Sequence, residues 1–137
     1  MRVFFDSSAF AKRYINEAGT DKVLTWSDQA TEIGLPAVAL PEVISAFCRL
    51  RREGAINDTQ HRQLKTLLLV DIEDAAICDL TPAVLAHAIT SLETNFLRGM
   101  DAIHIGDAVA LQADVFVSAD APQRIAASKA GLRIEAA

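Results

Sequence analysis

Four acids stand where this chain changes from one kind of element to the next, and together they are the raw material of a phosphate-directed metal site. Asp6 follows the apolar run Val3-Phe4-Phe5. Asp120 follows Val115-Phe116-Val117 by way of Ser118-Ala119. Glu42 falls in the first turn of an expected helix, and Asp101 in a helix that leads into a strand. Mg²⁺ and Mn²⁺ take hard oxygen donors and need only one or two carboxylates besides waters and the substrate's own phosphate oxygens. Carboxylates that repel one another when alone become a binding site when the cation enters. Each acid taken singly has a plainer role, because a carboxylate at a helix N-terminus accepts hydrogen bonds from the first N–H groups and meets the favourable end of the helix dipole. The metal reading therefore requires the four to converge.

The elements that would bring them together are legible from periodicity. Three bulky apolar residues before Asp6 predict a short strand buried on both faces, since a solvated strand alternates polar and apolar positions. Ser7-Ser8 and a helix over Ala9–Tyr14 come next, so Asp6 sits at the carboxyl end of a strand, where open parallel sheets bind ligands. Thr20 is expected to cap a helix over Asp21–Gln29, and residues 33–39 form a second strand despite Pro36. Leu40, Val43, Ile44, Phe47 and Leu50 recur at helical spacing up to Arg52. Gly54 closes that helix, and Asn57-Asp58 opens another through Leu64, Leu67 and Leu68 towards Ile72. A third strand over Ala76–Leu80 is followed by Thr81-Pro82, a cap with proline at the first helical position. The helix that follows, to about Phe96, carries Val84, Leu85, Ala88, Ile89, Leu92 and Phe96 on one stripe. Helix 100–112 holds Asp101, His104 and Asp107. The fourth strand, Val115–Val117, precedes a helix at about Pro122–Lys129 and a last strand, Leu132–Ile134. Strands separated by helical crossovers pair in parallel, so the expected fold is a three-layer α/β/α sandwich around a mostly parallel sheet of about five strands.

The chain has 137 residues, 51% hydrophobic and 23% charged, with a net charge of -5. That length supports one domain over residues 1–137 with a real core. No apolar run approaches the roughly 18 residues of a membrane span, and Asp6 interrupts the first apolar stretch too early for a signal peptide; a cytoplasmic location is expected. Cys48 and Cys78 lack zinc spacing and read as buried free thiols. The acidic balance argues against coating nucleic acid by bulk charge, though not against an enzyme that gathers acids around a divalent ion.

Four ordered blocks carry a resemblance: Phe4-Phe5-Asp6-Ser7-Ser8-Ala9-Phe10, Leu40-Pro41-Glu42-Val43-Ile44-Ser45-Ala46-Phe47, Met100-Asp101-Ala102-Ile103-His104-Ile105-Gly106-Asp107-Ala108, and Phe116-Val117-Ser118-Ala119-Asp120. In this order, across nearly the whole chain, they resemble the PIN-domain ribonucleases, and within them the small toxins of VapBC toxin–antitoxin pairs. The resemblance implies the PIN fold, Mg²⁺- or Mn²⁺-dependent endoribonuclease cleavage of RNA phosphodiesters, and a cognate antitoxin whose basic segment occupies the acidic groove. It assigns catalytic and metal-site roles to Asp6, Glu42, Asp101 and Asp120, and a supporting role to Ser118, with Ser8 beside the site. Asp107 departs from the small residue common at its position, and reads as either an extra acid behind the site or a solvated one. The chemistry implied is metal-assisted hydrolysis, in which the cation acidifies water and offsets charge on the phosphate, while a free carboxylate accepts the proton.

Other residues have competing readings. Lys12, Arg13 and Arg49 are candidates for RNA phosphate contacts, whereas Arg51 and Arg52 read first as a solvated face. His104, three residues from both Asp101 and Asp107, is expected to be packed rather than a ligand, and His61 and His87 lie on helix surfaces. Apolar residues near 23–26 and 64–68 would serve either a homodimer or the core. Two alternatives stand beside the nuclease: a phosphatase or phosphotransferase with Asp6 as nucleophile, which lacks the second acid because position 8 is serine, and a non-catalytic module that binds RNA or a basic peptide.

Overall fold

Twelve elements follow one another in the computed structural model, which describes residues 1–137: β1 (Arg2–Phe5), α1 (Ser7–Ala11), α2 (Thr20–Gln29), β2 (Glu32–Pro36), α3 (Ala39–Arg52), α4 (Asp58–Glu73), β3 (Ala76–Cys78), α5 (Pro82–Thr94), α6 (Gly99–Ala110), β4 (Val115–Ser118), α7 (Ala121–Lys129) and β5 (Arg133–Ala136). The five strands form one sheet in the order β3-β2-β1-β4-β5. Every neighbouring pair is parallel. The three-layer α/β/α architecture expected from the alternation of elements is the one observed.

Period-two alternation explains the layers. Val3 and Phe5 of β1, Leu35 of β2, and Val115 and Val117 of β4 join Phe10, Val23, Val43, Phe47 and Leu68 of helices α1 to α4 in one apolar cluster. Phe4 and Phe116 point the other way, to Ile105 and Ala108 of α6 and Ala126 and Ala127 of α7. These two phenylalanines are register partners across β1 and β4, with stacked rings 5.8 Å apart. Phe4, Phe5, Phe10, Phe47 and Phe116 are all fully buried, each contributing roughly 1.5–3 kcal/mol. That apolar centre offsets the burial of acids at its rim.

Four helix starts are capped by side chains. Asp6 accepts from the Ala9 N–H, Asn57 forms a capping box with Gln60, Thr81 accepts from the Val84 N–H ahead of Pro82, and Asp120 accepts from the Gln123 N–H. The start of α2 differs from expectation. Gly19 is its N-cap at φ 96, a left-handed conformation suited to glycine, and Thr20 is already helical.

The largest departure concerns α5. Its buried residues are Val84, Ala88 and Ser91, whereas Leu85, Ile89 and Leu92 are exposed and Phe96 lies beyond its end. Small residues face α6 because the two helices approach closely at Gly106, where an added Cβ would stand 2.5 Å from the Val84 carbonyl oxygen. His61, expected on a helix surface, is buried against the edge of Phe47. Of the apolar residues near 23–26 and 64–68, Val23 and Leu68 belong to the core, while Leu24 and Leu67 remain exposed.

Gly106→Ala tests this close approach. Alanine favours helix, yet the obstructing atom is backbone and cannot rotate away, so the substitution is expected to destabilise the fold by about 1–3 kcal/mol in chemical denaturation.

Candidate functional site

Asp6 is a helix cap, as its position suggests, and it also reaches across the sheet edge to β4. Asp6 is the first residue after β1, and its N–H donates to the Val117 carbonyl of β4 at 3.2 Å. Since Phe5 pairs with Val117, the next step along the two strands sets Asp6 beside Ser118. The Ala9 N–H donates to Asp6 Oδ1 at 2.7 Å, and the Ser118 hydroxyl donates to Asp6 Oδ2. Ser118 Oγ in turn accepts from the Asp120 N–H at 3.0 Å. One buried hydroxyl therefore ties the two strand-end acids at the point where the strand order reverses between β1 and β4.

Helices bring the other two acids to this edge. Asp101 lies in the first turn of α6, and its Oδ1 accepts from Gln123 Nε2 at 3.1 Å. Gln123 also donates its backbone N–H to Asp120 at 3.2 Å, so α7 links the third acid to the fourth. Glu42, in the first turn of α3, accepts from the Ser7 hydroxyl at 2.9 Å. His104, one turn after Asp101, has Nε2 3.6 Å from Glu42, too long for a hydrogen bond. Both of its ring nitrogens are buried and unpartnered.

Electrostatics record the convergence. Burial raises the Asp6 carboxyl above the usual carboxylate range, and the charge of Asp120 adds to the rise, while the bonds from Ser118 and Ala9 oppose it. Asp101 is also raised, by burial and then by Asp120, with Glu42 adding a smaller push and His104 and Arg98 easing it. No lysine or arginine forms an ion pair with any of the four acids. Hard oxygens under mutual repulsion suit a hard divalent cation. No three of the His, Cys, Asp and Glu side chains lie close enough together to hold a metal ion by themselves.

Two clefts open from the acids and share Ser8. One, about 290 Å³, runs between α1 and α3 past Ser7, Glu42, Ser45, Arg49 and Arg52. The other, about 700 Å³, contains Asp101, Asp120, Arg98, Phe96, Pro122 and Gln123. Of the expected phosphate contacts, Arg49 lies in the first cleft. Lys12 and Arg13 do not: Lys12 Nζ donates to the Ala18 and Ala137 carbonyls, and Arg13 pairs with Asp71 at 3.4 Å in a pocket beside Glu32, at the start of β2. Arg52 is solvent-exposed as expected and also lines the cleft beside Glu42 and Arg49.

Gln123 escaped the sequence reading. A glutamine three residues into a capped helix follows the pattern of a capping box, but nothing in that pattern says that its amide reaches a different helix. Asp107 is neither solvated nor at the acid cluster. It is 1% exposed, has an unpartnered Oδ1, and sits beside the buried Cys78 thiol of β3. Burial pushes its carboxyl up to about 7. Burial and the Asp107 charge push the thiol up to about 12.

No family model and no curated protein matches the sequence. Solved structures match the fold. FitAcB from Neisseria gonorrhoeae superposes with a TM-score of 0.68 at 13% identity, covering 96% of this chain and 95% of that one. VapBC-1 from nontypeable Haemophilus influenzae gives 0.68 at 14% identity, covering 99% and 98%. VapC20 from Mycobacterium tuberculosis, a sarcin–ricin loop cleaving toxin, gives 0.64 at 15% identity, covering 95% of each chain. The fold expected from the sequence, a three-layer α/β/α sandwich around a parallel sheet, is the one this chain shares with these solved structures.

Asp107 generates a pH prediction. An unfolded aspartate holds its proton only to about 3.8, the folded one to about 7, so the folded state binds more protons between these values and stability falls as pH rises through them. Asp107→Asn should therefore be more stable than wild type by roughly 2–4 kcal/mol above pH 8, with the gap closing towards pH 4. Denaturant titrations at several pH values check this.

Proposed function

We propose that the protein is a Mg²⁺- or Mn²⁺-dependent endoribonuclease, a single PIN-type domain over residues 1–137, and the toxin of a type II toxin–antitoxin pair. The observation that carries this reading is the gathering of Asp6, Glu42, Asp101 and Asp120 at one sheet edge with no lysine or arginine in an ion pair with any of them. Asp6 and Asp101, assisted by Glu42 and Asp120, would hold the ion, which when bound lowers the pKa of water and offsets charge on the phosphate. Ser118 fixes the Asp6 carboxylate and the Asp120 backbone, Ser7 fixes Glu42, and Gln123 fixes Asp101. Glu42 is the most open of the four, its side chain 41% exposed, and, where it does not bind the ion directly, would accept a proton from attacking water.

Arg49 and Arg52, one turn apart on α3 beside Glu42, supply positive charge for substrate phosphates in an otherwise acidic protein. The solved VapBC2 of Rickettsia felis and FitAB are bound to DNA fragments. By likeness of fold, this chain would have an antitoxin of its own, whose basic segment would compete for the acids. Exposed Leu67 and Val70 of α4, and Leu85, Ile89 and Leu92 of α5, offer apolar surface for self-association. A cytoplasmic location, with access to RNA, belongs to the same reading, and no helix is long and apolar enough to cross a membrane.

Cleavage of total RNA by purified protein tests the reading. Activity should require Mg²⁺ or Mn²⁺, vanish with chelator, and fall at least about 100-fold in Asp6→Asn and Asp101→Asn. Asparagine caps helices as well as aspartate does at position 6 and keeps an oxygen for the Gln123 amide at position 101, so both variants should retain wild-type circular dichroism. Mg²⁺ should raise the thermal midpoint of wild type and lose that effect in the variants. Cleavage indifferent to chelation would refute the metal reading, and a covalent phosphate trapped on Asp6 would favour the phosphotransferase.

Arg49→Ala and Arg52→Ala should each weaken single-stranded RNA binding and reduce its log–log salt slope by about 0.7. Fluorescence anisotropy across a salt series measures both.

A further inference from the structure

Phe96 is the one phenylalanine that nothing in the fold covers. The other five are buried to within 1% and Phe96 is fully exposed, at 101%. Trp26 and Tyr14 pack against the core. Its exposure does not come from a slack loop. Asn95, extended at the end of α5, donates its amide to the Ser91 carbonyl at 3.0 Å, Leu97 packs against the α6–α7 core cluster, and α6 begins at Gly99. The residues on either side are anchored, and the ring between them is presented outward.

Its place is as particular as its exposure. Phe96 and Pro122 both line the cleft that holds Asp101 and Asp120, and both line a second cleft of about 550 Å³ with Asn95, Ile125 and Lys129. Each cleft has one cation among acids, Arg98 with Asp101 and Asp120 in the first and Lys129 with Glu93 in the second, and neither cation has an ion-pair partner. An aromatic face between two clefts that each hold an unpaired cation, one of them leading to the acids, has the make-up of a single-stranded nucleic-acid path, in which bases stack on side chains while cations follow the phosphates.

We infer that Phe96, with Pro122 beside it, is the stacking platform for a nucleobase adjacent to the cleaved phosphodiester of single-stranded RNA, with Arg98 and Lys129 holding the phosphates on either side. This rests on the nuclease reading and adds to it a direction: the strand passes from the Arg49 and Arg52 groove across the acids, past Ser8, and over Phe96 towards Lys129. The rival occupant of an exposed ring is an apolar protein surface, for which the α5 stripe ending at Leu92 would be the continuation. The flanking cations and the opening onto the acids favour the nucleic acid. Stacking on an aromatic ring tolerates any base and prefers none by hydrogen bonding, so the platform would set where the strand lies more than which sequence is cut.

The test compares wild type, Phe96→Ala and Phe96→Tyr by anisotropy of a short labelled single-stranded RNA in chelator, and by steady-state cleavage with Mn²⁺. Phe96→Ala should weaken binding roughly 5- to 100-fold and raise KM by more than it lowers kcat, while Phe96→Tyr stays within about twofold of wild type because it keeps the ring. One abasic site placed along the RNA should reproduce the loss in wild type and add nothing in Phe96→Ala, as expected of two partners in one contact. Wild type that neither binds nor cuts RNA overturns the nuclease reading and this inference with it. Wild type that binds and cuts, beside a Phe96→Ala variant that does both equally well, overturns the inference alone. Unchanged RNA handling together with lost self-association in sedimentation overturns it too and assigns the ring to a protein contact.

Discussion

The parallel contact between β1 and β4 is the constraint on which the site depends. Its register pairs Phe4 with Phe116 and Phe5 with Val117, and so leaves Asp6 next to Ser118 at the moment both strands end. A slip of one residue would turn every inward side chain outward and part the hydroxyl from the carboxylate. Because Phe4 and Phe116 stack on one face while Phe5 and Val117 pack on the other, the apolar interior enforces this register from both sides. The polar arrangement at the rim is thus specified by hydrophobic packing one residue below it.

At that rim the fold holds charge that it does not neutralise. Asp6 and Asp101 are raised by burial and by neighbouring acids, a cost that packing in the core offsets. What keeps the cluster together is a set of hydrogen-bond donors: the Ser118 hydroxyl, the Ser7 hydroxyl, the Gln123 amide and the N–H groups at two helix starts. Such donors orient carboxylates without cancelling their charge. An arginine in their place would satisfy the same oxygens and leave nothing for a cation to gain. Asp107 shows the contrast. Buried alone beside Cys78, it has no comparable support, and its carboxyl is held near neutrality.

Much of this was legible in the chain. Apolar triplets before Asp6 and Ser118 announced doubly buried strands, and their alternation with helical periods announced a parallel sheet. Spacing alone left open whether those two strands are neighbours, and their adjacency is what unites the acids. The α5 stripe misled because Leu85, Ile89 and Leu92 look like a core face by hydropathy, whereas α6 comes too close at Gly106 for anything larger than Val84, Ala88 and Ser91. Lys12 and Arg13 misled in the same way, since a basic pair in sequence says nothing of the carbonyls and the aspartate that occupy it. Gln123 was invisible because its partner, Asp101, lies a crossover away.

The bond between Ser118 and Asp6 joins residues 112 positions apart. While a chain is being made, Asp6 emerges long before Ser118, and β1 long before the β4 strand it pairs with. Until then β1 has one unpaired edge, and Asp120 and Gln123 do not yet exist to meet Asp101. No fragment that stops short of β4 can join Asp6 to Ser118 or bring Asp120 to Asp101, so whatever this pocket does waits until β4 and α7 have been made.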